Sequence, residues 1–125
     1  MSRGVTTLYG IANCDTVKRA RSWLTAQGID CRFHDFKREG VPAGHLDRWL
    51  AEAGIERLVN RRGTAWRKLD EVARSGIVDA PSARALLLAQ PSVIKRPVLH
   101  WPDGSVTVGF DADAWAARLA GALRR

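Results

Sequence analysis

The sequence is poor in cysteine, in tyrosine and in long apolar runs. No stretch approaches the roughly 20 consecutive apolar residues of a membrane-spanning helix, so no membrane partner is expected. With only Cys14 and Cys31, the chain does not have the makings of a disulfide-stapled secreted scaffold. The first residues lead straight into a strand-like stretch with no room for a signal peptide, and a reducing cytoplasm is the expected location. The three histidines, His34, His45 and His100, share no ligand spacing, so no metal is expected. Neither a Walker loop nor a dinucleotide glycine fingerprint is present. Val17 stands where a redox motif places its second cysteine, which excludes a disulfide within one turn of Cys14. Acidic residues number 13 against 20 basic ones, a net charge of +7, but no run of about five like charges forms a tail. Basic residues spread in short pairs suit small anions, and no specific nucleic-acid partner is expected.

What is present fits one globular domain of 125 residues, 46% hydrophobic and 26% charged. Val5–Gly10 is β-branched and aromatic and ends on glycine, a short strand. Helix-capping residues follow, and Val17, Ala20, Leu24 and Gln27 then mark one helical face, with Gly28 as the stop. Cys31–Phe36 alternates, a second strand, so the chain opens as a βαβ unit. From about 42 to about 91 the signal is helical. Leu46, Trp49, Leu50 and Ala53 define one helix there, Trp66, Leu69, Val72 and Ala73 a second, and Ser82 caps a third that Pro91 stops. Val98–Trp101 and Ser105–Val108 flank Pro102-Asp103-Gly104 as a hairpin. Asp111 caps a last helix carrying Ala112, Trp115, Ala116, Leu119 and Leu123. The expected architecture is α/β, a thioredoxin-like core over about 4–37 and 92–123 (βαβ, then ββα) with an inserted helical subdomain.

Cys14 is the strongest candidate for chemistry. It falls between a strand and a helix, where α/β sheets place ligands. A thiolate at a helix N-terminus is stabilised by unpaired N–H groups and the helix dipole, which lower its pKa. The alternative is a small buried hydrophobe, which the polar neighbours Asn13, Asp15 and Thr16 disfavour. Cys31, on the second strand, is expected to be a buried core residue. A bridge from it to Cys14 requires Cα atoms within about 7 Å, which only the fold decides. Arg96, before Pro97, is either a bidentate oxyanion fork or a solvated Arg-Pro turn, and Arg61-Arg62 is either a surface pair or part of an anion pocket.

Three segments together resemble the arsenate reductase-like family, nearest its YffB-type members: Leu8–Lys18, Leu58–Arg67 and Pro91–Val98. The resemblance spans nearly the whole chain in one order. It implies a thioredoxin-like fold with a helical insertion and a cis peptide at Pro97. It also implies a glutathione-dependent thiol oxidoreductase, with glutathione or a similar thiol as co-substrate, glutaredoxin as a further partner and no tightly bound cofactor. Cys14 matches the nucleophile and Arg96 the arginine before the cis-proline. Asn13, Asp15, Thr16, Arg62 and Pro97 are the expected surroundings of substrate or anion. Of the family's three oxyanion arginines, the middle one falls on Asn60, beside Arg61 and Arg62, and the last near Gly109. Arsenate is therefore expected to be a poor substrate. The alternative within the family is an Spx-like regulator or binding module without turnover.

Overall fold

The structure, a computed structural model, describes residues 5–123, and side chains up to residue 121. The boundary placed at residue 4 and the side chain of Leu123 lie outside the described residues. Strands β1 (Thr6–Gly10), β2 (Cys31–Asp35), β3 (Val98–His100) and β4 (Val106–Val108) form one sheet in the order β2-β1-β3-β4. β1 and β2 are parallel, with Thr6 opposite Cys31 and Gly10 opposite Asp35. β3 runs antiparallel to both β1 and β4. Helix α1 (Asp15–Ala26) makes the crossover between the parallel pair, as a parallel connection requires. Between β2 and β3 lie α2 (Phe36–Glu39), α3 (Ala43–Ala53), α4 (Ile55–Leu58), α5 (Thr64–Arg67), α6 (Glu71–Ser75) and α7 (Ala80–Ala89), and α8 (Ala112–Leu123) follows the hairpin. This is the thioredoxin-like α/β arrangement.

The sheet buries both faces, because strand side chains alternate. Leu8 and Leu99 point to one face with Val17, Ala20 and Leu24 of α1 and Trp115 of α8. Tyr9 and Val98 point to the other, with Leu46, Trp49 and Leu50 of α3 and Leu87 of α7. Gly10, at the end of β1, lets α1 approach closely: a Cβ there would sit 2.8 Å from a Val17 methyl. On the second face Tyr9 is ringed by His34, Trp49 and His100 at 5.0, 4.9 and 4.7 Å between ring centroids.

The structure corrects the reading of the middle, of the end of α1 and of the end of β2. The second helical stretch is two short helices, because Asp70 interrupts it and caps α6 by accepting from the Ala73 N–H at 2.7 Å. Val72 is consequently exposed. Helix α7 is capped by Asp79, with Ser82 as the third-position partner of a capping box. Gln27 is exposed as the C-cap of α1. Phe36 starts α2 instead of ending β2, because Asp35 caps it by accepting from the Lys37 N–H. Within the helical region Val59 pairs antiparallel with Ile94 in an isolated bridge, flanked by bonds from Asn60 N–H to Val93 and from Lys95 N–H to Leu58. A bridge of one residue pair is too short to leave a period-two pattern in sequence.

Candidate active site

The end of β1, the start of α1 and the segment before β3 converge on Cys14. Asn13 and Asp15 are exposed, and Cys14 and Thr16 are half-buried. Cys14 is the N-cap of α1: its backbone is extended (φ −148°, ψ 122°) and its carbonyl accepts the Lys18 N–H at 2.9 Å. Partial burial pushes the thiol pKa up. The Val17 N–H, the Arg96 guanidinium and the Thr16 N–H outweigh it, holding the pKa below its ordinary value. The two N–H groups are among the donors a helix start leaves without partners. None closes a capping hydrogen bond on the neutral sulfur; they serve the thiolate.

Arg96 is fixed by its own backbone. One terminal nitrogen, Nη1, donates to the carbonyls of Ser92 at 2.7 Å and Ile94 at 3.2 Å. Its Nε–H is buried without a partner among the described residues. A buried donor left unpaired costs about 1–3 kcal/mol, so this N–H is spare bonding capacity. The Arg96–Pro97 peptide is cis and Pro97 is fully buried. Arg96 is thus half-buried and anchored, which decides against the solvated turn.

Arg62 is exposed and lines a cavity of about 330 Å³ with Arg57 and Lys95, whose walls do not include Cys14. Asn60 accepts the Arg62 N–H through Oδ1 at 3.3 Å, and its side-chain amide folds against Gly63, where a Cβ would meet it at 2.7 Å. Asn60 therefore serves its own turn. Gly109, with φ +88°, has no side chain to offer, and the Lys95 chain packs over it. Sequence reasoning passed over Lys95; the alternation that separates neighbours along extended backbone was the available signal that Lys95 and Arg96 diverge.

Cys31 is half-buried, not core. Burial raises its pKa, against the opposing Leu8 backbone and the charge of Arg21. Its register partner is Thr6, at the start of β1, whereas Cys14 lies beyond Gly10 at the other end. Four residue steps at about 3.3 Å each separate those ends by about 13 Å, beyond the roughly 7 Å that a disulfide spans. Cys31 does not reach Cys14.

A lone cysteine at the N-cap after the first strand, faced by an arginine before a cis-proline on a thioredoxin-like sheet, is the arrangement of an arsenate reductase-like protein. The profile of the ArsC family matches residues 9–118, and the chain belongs to that family. It is 38% identical over 114 residues to an uncharacterised protein of Haemophilus influenzae, covering 91% of this chain and 98% of that one. Among solved structures it resembles a YFFB protein at 49% identity and a TM-score of 0.84, over 90% of this chain and 97% of the other. An arsenate reductase (ArsC) related protein from Brucella melitensis is 54% identical, with a TM-score of 0.71 over 91% and 93% of the two chains.

Proposed function

We propose that this protein is a glutathione-dependent thiol–disulfide oxidoreductase of the cytoplasm that uses Cys14 as its single nucleophile. The observation that carries the reading is the Cys14 sulfur itself, set at a helix start beside an anchored Arg96 and out of reach of the second cysteine. The Cys14 thiolate attacks one sulfur of a disulfide, forming a mixed disulfide and expelling the other half as a thiolate that takes a proton from water. A glutathione thiolate then attacks the substrate sulfur of that mixed disulfide and releases Cys14. A second glutathione finishes the exchange in solution, so one disulfide and two glutathiones give two thiols and oxidised glutathione. Arg96 and the Val17 and Thr16 N–H groups stabilise the sulfur anion whenever it forms.

Arsenate is a poor substrate in this reading. Removing one preorganised anion donor costs on the order of 10² to 10³ in rate, and here Asn60 and Gly109 stand where the family has arginines. The test is a coupled assay with glutathione and hydroxyethyl disulfide, with arsenate as the comparison substrate. Turnover should disappear in Cys14→Ser, persist in Cys31→Ser and be far slower on arsenate. Full activity in Cys14→Ser, or a requirement for Cys31, refutes the mechanism.

A further inference from the structure

Strand β4 is an edge of the sheet, and it leads to the active site. The Gly109 N–H donates to the Pro97 carbonyl at 2.8 Å, and the Trp101 N–H to the Ser105 carbonyl at 2.9 Å. In an antiparallel ladder bonded pairs recur every second residue, so Leu99 and Thr107 form the pair between them. The N–H and C=O groups of Val106 and Val108 therefore face outward, without a backbone partner among the described residues, and can accept a further strand. The end of β4 nearest Gly109 is the end next to Arg96-Pro97, and hence next to Cys14.

Two cavities flank this edge, one of about 750 Å³ toward α8 and one of about 330 Å³ toward α4. Both are walled by Arg57, Lys95 and Val108; Arg118 lines the first and Arg62 the second. The nearby acids are already engaged. Glu56 is bound by Arg61 at 2.6 Å, Asp111 caps α8 by accepting from Ala114 N–H, and Asp103 holds Ser105. Arg118 donates to the Ser105 hydroxyl at 2.7 Å and lies over the Trp101 ring. Arg57, Arg62 and Lys95 have no side-chain hydrogen bond or ion pair among the described residues. An open ladder edge between unpaired cations is complementary to one kind of occupant: an extended chain bearing carboxylates.

We infer that the β4 edge, with Arg57, Arg62 and Lys95 beside it, docks an acidic extended segment of a disulfide-bearing protein by strand addition, delivering that disulfide to Cys14. The inference rests on the thiol–disulfide reading above and makes the substrate a protein, not a small oxyanion. Strand addition supplies affinity through main-chain bonds, and the cations select for acidic side chains.

The experiment uses the full chain and three fluorescent peptides of equal length. One alternates threonine and glutamate, one alternates threonine and lysine, and one is the glutamate peptide N-methylated at alternate residues to block pairing. Anisotropy should show the first peptide binding wild type and Cys14→Ser alike. Binding should weaken on the order of tenfold in Arg57→Glu/Lys95→Glu and by a similar factor on N-methylation. The Val106 and Val108 amides should exchange more slowly with the peptide bound. No binding, equal binding of the lysine or N-methylated peptide, or indifference to the charge reversal overturns the inference, leaving the cations as guards against edge pairing. The double variant should keep wild-type turnover of hydroxyethyl disulfide, which separates the two claims. Peptide binding with an inert Cys14 sinks the thiol reading, and with it the delivery of a disulfide, while the docking edge itself stands; turnover without selective binding sinks the docking edge alone.

Discussion

At the scale of single residues, the two cysteines differ by the electrostatics around each sulfur. Cys14 is partly buried but faces two helix-start N–H groups and a guanidinium, and its pKa falls. Cys31 is buried more deeply with weaker compensation, and its pKa rises. Iodoacetamide alkylation followed against pH should therefore show Cys14 reacting as a thiolate below the pH at which a free thiol ionises, with Cys31 far behind it. Arg96→Leu removes both the hydrogen bond and the charge, and should move the Cys14 midpoint up. A faster Cys31, or a midpoint unmoved in Arg96→Leu, contradicts this assignment. The position of Cys14 was legible because small polar residues between a strand and a helix are capping chemistry. That of Arg62 was not, since the direction of a side chain from a turn depends on bonds such as those Asn60 makes within the loop.

At the scale of elements, the close packing of α1 on β1 depends on Gly10. Gly10→Ala places a methyl 2.8 Å from Val17, so β1 and α1 must separate where they hold Cys14. Overpacking of this kind costs about 1–3 kcal/mol, measurable as a lower urea midpoint with unchanged slope. The contact between α3 and β3 carries a pH dependence. Trp49 Nε1–H donates to His100 Nε2 at 2.7 Å, and because indole only donates, that nitrogen must be unprotonated. Burial, then the charges of His45 and Arg48, push the His100 pKa down to about 4 from 6.5, with Glu52 opposing. The unfolded chain thus binds the proton more readily, so the stabilisation is complete above pH 6.5 and is lost as pH falls toward about 4. Urea titrations across that range should show a steeper loss in wild type than in His100→Gln; equal slopes would rule the contact out as the cause. The helices α1, α3 and α8 were legible because each presents a sustained apolar face. The break at Asp70 and the cap at Asp79 were not, because a capping side chain overrides a short periodic pattern.

At the scale of the whole molecule, the sheet keeps its cysteines apart. Parallel pairing of β1 with β2 puts Cys31 at the start of β1, while the strand-to-helix turn puts Cys14 past its end. The βαβ and ββα order was readable from composition and turns, and with it the thioredoxin-like fold. The separation was not, because it follows from strand register, which depends on partners distant in sequence. The proposed chemistry depends on that distance: a nucleophile without an internal resolving thiol requires an external one. Intact-mass analysis after treatment with oxidised glutathione, with peptide mapping of the product, tests this most directly. One glutathione per chain is expected, on Cys14, removed by excess reduced glutathione. An internal Cys14–Cys31 disulfide, or glutathione carried on Cys31 with Cys14 free, would contradict it.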